Sequence, residues 1–441
     1  MRIHTIGGYN EVGKNMTALE VGDDVILFDC GLFLPAIVSV QEKEKIPTEQ
    51  GMRALGALPD DVYLERKNLH DKVRAILVSH AHLDHIGALP YNAYRYKADI
   101  LGTPFTTEVL KILLEGKRLP NKIISVHPDS SRTIQGKKSY KVEFLNMTHS
   151  TLQTATIAVH TPEGIVIYAN DYKLDNSPVF GEKPNYRRMR ELSRIGVKAL
   201  IVDCLYAPDD RKTPSEKIAK GLLEDVFFST GNRNSGMVVT TFSSHIARLK
   251  TITELGEKLH RQVVFMGRSL NKYTTAARNI GKANFMSKVQ MISYKKQIDR
   301  VLTRVNKNKS HYLLVCTGHQ GEPGSVMDRI ARGQLPLKLS SNDEAIFSSK
   351  TIPTPINESN RNELEKRLKK HNVRIFDNVH VSGHGGREDL RDLIRILNPQ
   401  HIIPSHGDLK KLSAGAELAE EMGYKLHKTV HLMQNGHSIT I

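Results

Sequence analysis

Cysteine is scarce. The 441 residues include three, Cys30, Cys204 and Cys316, far apart and outside any CxxC pair. That excludes a disulfide framework and a cysteine-type zinc finger, and a reducing cytoplasm is the expected compartment. No apolar run approaches the roughly 20 residues that a membrane span needs. Low-complexity tracts are absent too, so a membrane protein, a fibre and a disordered tail are all set aside. The opening MRIHTIGGYN lacks the charged and apolar regions of a secretory leader, and export is not expected. Acid is in deficit: 47 Asp and Glu against 63 Lys and Arg leave a net charge of +16. A polyanionic partner, nucleic acid first, is the reading from charge. A typical domain has roughly 100–200 residues, so two or three domains are expected.

The charge is concentrated in the middle of the chain. Asp209 to Lys350 holds 24 Lys and Arg against 12 Asp and Glu, and Lys258 to Lys309 holds 13 basic residues and one acid, Asp299. Any single lysine there is as readily a solvated helix face. The block as a whole carries mutual repulsion that a phosphate backbone would relieve.

Hydropathy patterning divides the chain. The start reads as hairpin strands, Met16–Val21 and Val25–Asp29 about a Gly22-Asp23-Asp24 turn. Further apolar runs end in polar residues: Ala75–Ser79, Tyr140–Leu145, Gly164–Ala169 and Val197–Val202, with a helical pattern at Thr106–Leu113. From about Asp209 helix and strand alternate regularly: helices near Pro214–Phe228 and His245–Lys258, strands Gly236–Thr241, Gln262–Met266 and Tyr312–Cys316, then a glycine-rich loop and Ser325 capping Val326–Arg332. After Val373, strand ends bear histidines again, in NVHVSGHGG and HIIPSHGD. The class expected is α/β, with chemistry at strand ends.

The sharpest motif is Ser79-His80-Ala81-His82-Leu83-Asp84-His85 after a buried strand. Four ligand-type side chains within six residues suit two metals better than a polar turn that happens to be rich in histidine. His149 and Asp171 follow later strands and could join them. Imidazole and carboxylate without thiolate suit zinc and leave manganese or iron open. Two adjacent metals make water a nucleophile near neutral pH and neutralise phosphoryl charge, so hydrolysis is the natural reaction.

These residues resemble the metallo-β-lactamase superfamily, which implies an αββα sandwich. The resemblance implies His80, His82 and His149 on one metal, Asp84, His85 and His406 on a second, and Asp171 bridging, hence two zinc ions per chain. Asp29 would support the metal loop. Asp203, His384 and His406 resemble motifs A, B and C of the β-CASP nucleases, in which a second α/β domain is inserted. The implied division is 1–208 and 375–441 for the sandwich and 209–374 for the insert. GGYNEVGKN (7–15), TFSSHIARL (241–249), TGHQGEPGSVMDRIA (317–331) and NVHVSGHGGREDL (378–390) resemble the ribonuclease J family along nearly the whole chain. An archaeal type is expected because the sequence stops at Ile441.

The family implies a 5′-to-3′ exonuclease on single-stranded RNA preferring 5′-monophosphate ends, sometimes with endonuclease cleavage, with single-stranded DNA as a secondary substrate. It also implies a cytoplasmic homodimer. His384, Asp203 and Asp84 are the catalytic candidates. Ser243, Ser244, His245, Arg268, His380, Val381, Ser382, Gly383 and His384 are the substrate-binding ones. Two positions depart from the bacterial pattern FASNxHR: His245 stands for Asn and Ala247 for His, while His319 replaces a usual Ser. Alternatives are a 3′-end-processing endonuclease of the same group, a small-molecule metallohydrolase and an inactive RNA-binding scaffold. A phosphate-binding NTPase loop at Gly8–Asn15 fails, because Asn15 replaces the metal-binding hydroxyl and a strand follows. Cys30 and Cys204 read as small buried residues. His4, His127, His160, His260 and His437 match no ligand spacing and read as structural or surface residues.

Overall fold

The N-terminal apolar segments build an antiparallel ladder, Arg2–Gly7 on Met16–Val21 on Asp24–Phe28. The tight turn between the last two places Gly22 at a φ of +61°, where a Cβ would be strained. The sheet continues in parallel through Val73–Leu77, Asp99–Gly102 and Ile123–Ser125, and His437–Thr440 closes its other edge beside Arg2–Gly7. A second, six-stranded sheet runs His401–Ser405, Val197–Asp203, Gly164–Ala169, Ala155–Thr161, Ser139–Asn146, Ser130–Gln135. Leu19, Ile26 and Phe28 of the first sheet share one core with Phe144, Ile157 and Ile167 of the second, each at most 1% exposed. Pro104–Leu113 packs on the first sheet, while Tyr186–Ile195, Arg387–Leu397 and Leu409–Glu421 pack on the second, giving an αββα sandwich.

The computed structural model describes residues 1–38, 48–117, 119–231, 234–352 and 354–441. The sandwich comprises Met1–Thr213 with Gly383–Ile441, and Pro214–Ser382 forms a second unit. No helix among the described residues is long and apolar enough to cross a membrane.

The second unit is a wholly parallel sheet in the order Val289–Ile292, Gln262–Met266, Tyr312–Cys316, Met237–Thr240, Glu344–Phe347, Arg374–Phe376. Its helices start where the sequence punctuates them. Ser215, Ser325 and Thr354 each cap a helix by accepting a backbone N–H. The chain first winds outward from Met237–Thr240 to Val289–Ile292, then returns to Tyr312–Cys316 and proceeds to the other edge. That reversal opens a crevice at the carboxyl ends of the two central strands, the usual ligand position in open α/β sheets.

Within the sandwich, Asp24 ties the two sheets together. It is 1% exposed and accepts bonds from Arg74 Nε at 2.6 Å, the backbone N–H groups of Lys137 and Lys138 at 2.9 and 3.0 Å, and the Tyr140 hydroxyl at 3.0 Å. Burial opposes its charge, but these donors outweigh burial and pull the carboxyl down to about 2. The folded state thus favours the carboxylate, and this stabilisation is complete above the unfolded value near 3.8 and lost as pH falls towards 2. Asp24→Asn is expected to cost about 2 kcal/mol in urea unfolding at pH 7, with the gap from wild type narrowing below about pH 4.

Candidate active site

Three residues of the site leave the ends of strands with left-handed backbones: Asp29 at φ +56°, Asp171 at +60° and His406 at +61°. Such conformations are uncommon for residues with a Cβ and turn each side chain abruptly out of its sheet. Asp29 ends Asp24–Phe28, Asp171 follows Gly164–Ala169 by two residues, and His406 follows His401–Ser405 directly. His80 and His82 follow Val73–Leu77, while Asp84 and His85 lie on the short helix Leu83–Ile86, for which His82 stands at the N-cap. Room for that helix depends on Gly31, where an added Cβ would lie 1.6 Å from the Asp84 carbonyl oxygen.

The side chains converge on Asp171. Its Oδ2 lies 3.3 Å from His80 Nε2, 3.3 Å from His85 Nε2 and 3.4 Å from His149 Nε2, and its Oδ1 lies 3.6 Å from His406 Nε2. His82 Nδ1 stands 3.1 Å from both His80 Nε2 and His149 Nε2. Asp84 Oδ2 is 3.6 Å from His85 Nε2 and 3.9 Å from His406 Nε2. Two groups able to hold a metal therefore share Asp171: His80, His82 and His149 with it, and Asp84, His85 and His406 with it.

Hydrogen bonds on the far side of four rings, those of His80, His85, His149 and His406, fix which nitrogen faces the centre. His149 Nδ1 donates to the Gly383 carbonyl at 2.6 Å, His85 Nδ1 to Asp29 at 2.7 Å and His406 Nδ1 to Asn15 Oδ1 at 3.0 Å. His80 Nδ1 is 3.0 Å from Ser79 Oγ, whose own proton goes to Asp29. The inward nitrogens are then lone pairs, the arrangement a metal requires. Burial holds His80, His82 and His149 below the ordinary imidazole range, hence neutral. At His85 burial pulls the same way but is outweighed by Asp171, Asp84 and Asp29, so the field there draws positive charge. Asp171 Oδ1 is buried and has no hydrogen-bond partner. Converging lone pairs, an orphaned carboxylate oxygen and a nitrogen–oxygen donor set all fit a divalent transition metal.

His384 borders this cluster. Its Nδ1 is 2.8 Å from Asp203 Oδ2 and its Nε2 is 3.9 Å from Asp171 Oδ2, and its ring lies beside those of His149 and His406. Burial disfavours its charge, but Asp171 and Asp203 overcome that and push it up to about 9. His384, Asp171, Asp203 and His406 form a third group with ligand-type spacing.

In the inserted unit, the loops after Met237–Thr240 and Tyr312–Cys316 meet at the crevice, the Phe242 and His319 rings 4.3 Å apart. Ser243 Oγ lies 3.0 Å from Ser269 Oγ, Ser244 is buried, and Arg268 is exposed as the first residue of Arg268–Asn279. His245 is buried, caps Ile246–Lys258 by accepting from the Arg248 N–H, and places Nε2 3.5 Å from Glu216 Oε2. His380 Nδ1 is 3.4 Å from Arg248 Nη1, and Val381 is buried beside Ser382. In the sandwich, a Cβ at Gly383 would collide with Ser150.

Several participants escaped sequence reasoning. Asn15 accepts from His406 and Asn170, donates to the Asp84 carbonyl and touches His85 Nε2 at 3.1 Å. Tyr168 donates to Asp29. Fully buried Arg248 pairs with Glu216 and donates to the Ser348 and Val379 carbonyls. Asn15 had a signal in the glycine-flanked NEVGKN, though only as a failed phosphate loop. Cys30 and Cys204 are buried, and burial pushes both thiols up, consistent with inert packing. His4 bonds Tyr63 and Glu20, and His160 bonds Glu143, whereas His127, His260 and His437 are exposed.

Three family models match. The metallo-beta-lactamase superfamily covers residues 9–195, the ribonuclease J beta-CASP domain 234–366, and the Zn-dependent metallo-hydrolase RNA specificity domain 370–432. The chain is 41% identical over 444 residues to a ribonuclease J of Pyrococcus abyssi, covering 100% of this chain and 97% of that protein. It is likewise 41% identical to a ribonuclease J of Methanocaldococcus jannaschii, over 100% and 98% of the two chains. A crystal structure of a protein of unknown function from Enterococcus faecalis shares the fold, with a TM-score of 0.65 at 17% identity over 100% of this chain and 99% of that one. Replacing Asn15 by Ala should weaken metal retention about 10–100-fold, as loss of a group orienting two ligands does. Metal content after dialysis against graded chelator measures it.

Proposed function

The chain belongs to the ribonuclease J family, and on that premise we propose a metal-dependent ribonuclease that degrades single-stranded RNA from its 5′ end. It prefers a 5′-monophosphate, releases 5′-mononucleotides and takes single-stranded DNA as a secondary substrate. The observation that carries the reading is the ring of inward lone pairs about Asp171 with His384, braced by Asp203, beside it. A divalent metal bound there, zinc or manganese, supplies charge neutralisation at phosphorus and acidifies water. His80, His82 and His149 would hold one ion, Asp84, His85 and His406 a second, with Asp171 between them.

His384 faces the same centre with Nε2, is braced by Asp203 at Nδ1 and is the group there placed to hold a proton at Nε2. It contacts the scissile phosphate and passes that proton to the departing 3′ oxygen, while Asp203 keeps the ring oriented and charged. Ser243, Ser244, His245, Arg268 and the segment His380–Gly383 are assigned to the terminal phosphate. His245 accepts from the Arg248 N–H at Nδ1 and faces Glu216 with Nε2, which a neutral imidazole protonated at Nε2 satisfies. The excess of base over acid between Asp209 and Lys350 supports a nucleic-acid substrate. A cytoplasmic homodimer remains part of the reading.

The decisive experiment digests one RNA bearing a 5′-triphosphate, 5′-monophosphate or 5′-hydroxyl. Mononucleotides should accumulate from the start and fastest from the monophosphate, whereas internal fragments alone would convert the reading to an endonuclease. His384→Ala should lower turnover about 10²–10⁴-fold with metal content intact. Loss of metal in that variant would make His384 a ligand instead.

A further inference from the structure

The segment 294–307 of the inserted unit lies outside every group assigned above, yet its chemistry is specific. Tyr294 is 71% exposed, the most exposed of the large apolar side chains among the described residues, and stands at the N-cap of Lys295–Val305. At 100° per residue, Lys296, Arg300, Arg304 and Lys307 fall on one face, with Ile298, Val301, Leu302 and Val305 buried on the opposite one. All four cations are exposed, and none forms an ion pair among the described residues. Other lysines of the same basic block are neutralised: Lys288 by Glu257 and Lys309 by Asp343. Beyond the helix lies a hollow of about 730 Å³ lined by Asn306, Lys307, Lys338, His371, Leu335 and Leu337, with no carboxylate in its wall. Lys338 is exposed and unpaired among the described residues as well.

The helix has a direction that matters. It starts at the carboxyl end of the sheet, where Gly267 N–H bonds the Ile292 carbonyl at 3.0 Å, just before Arg268. It ends near Lys309, ahead of the amino end of Tyr312–Cys316. The loops holding Ser243, Ser244 and His319 are at the same carboxyl end of this sheet. Tyr294 stands at that same carboxyl end, after the edge strand Val289–Ile292, and the row of unneutralised cations leads away from it. A flat ring beside a cationic track suits unpaired bases on a phosphate backbone, whereas a duplex offers phosphates but no free base face.

We propose that Tyr294 and the face of Lys296, Arg300, Arg304 and Lys307, continued by Lys338, form a second binding surface for single-stranded RNA. It grips the strand several nucleotides beyond the end held at Ser243 and Ser244. The surface rests on the ribonuclease reading for the identity of its ligand.

The test uses the full chain and hydrolysis-resistant 5′-monophosphorylated RNA of about four and about 24 nucleotides, bracketing the footprint of one binding surface. Replacing Lys296, Arg300, Arg304 and Lys307 together by Gln should weaken binding of the long RNA at least about 10-fold and lower its log–log salt slope by about 3. The ratio of long to short affinity should fall with it. Tyr294→Ala should weaken the long RNA about 5–100-fold, and Tyr294→Phe should bind it as wild type does. Thermal unfolding of each variant confirms that the fold is intact. Equal losses on both lengths, an unchanged salt slope, or a blunt duplex retained as tightly as the single strand would overturn the proposal. If these differences appear but the wild type cleaves no RNA, the enzymatic reading fails and the surface stands. If RNA is cleaved while the variants bind normally, the reverse holds.

Discussion

One buried carboxylate, that of Asp171, organises the sandwich around it. Five imidazole nitrogens lie within 3.3–3.9 Å of its oxygens. So many ionisable groups out of water would be expensive to bury if each were free to choose its charge. The molecule restricts that choice from behind: Asp29, Asn15, the Gly383 carbonyl and Ser79 each claim the outer nitrogen of one ring. Orientation and protonation are thus settled largely from the outer side of the rings. The left-handed backbones at Asp29, Asp171 and His406 follow from the same need, since a strand cannot otherwise aim its last side chain along the sheet edge.

The two units divide the chemistry. The sandwich concentrates negative charge and lone pairs at one point, which suits a cation. The inserted unit spreads positive charge over a parallel sheet whose winding reverses between its central strands, which suits an extended anion. Neither pattern could be built from the other's elements. Abrupt exits at strand ends serve the first, and long solvent-facing helices serve the second.

Sequence reasoning read much of this, for identifiable reasons. His80, His82, Asp84 and His85 lie within six residues, so local spacing alone announced them. The helices at Glu216–Ser229 and Ile246–Lys258 and the strands at Gln262–Met266 and Tyr312–Cys316 carry clear periodicity and matched within two residues. The strand expected at Val25–Asp29 closes instead at Phe28, because Asp29 is diverted into the site, and that expected at Ala75–Ser79 ends at Leu77. What stayed hidden is relational. Asn15 meets His406 across 391 positions, and Tyr168 meets Asp29 across 139. Arg248 entered only as a residue of the motif TFSSHIARL, whereas it is fully buried against Glu216. No window of sequence shows which polar side chain will be enclosed.

The pairing of Arg2 with Thr440 and of Ala199 with His401 also sets an order of events. During synthesis the inserted unit is contiguous and can close its sheet as soon as residue 382 emerges. The sandwich must wait for its last strands, because such long-range contacts form only when both partners exist. His406 belongs to the final tenth of the chain. A nascent polypeptide can therefore close its cationic inserted unit before it can complete the ring of donors about Asp171.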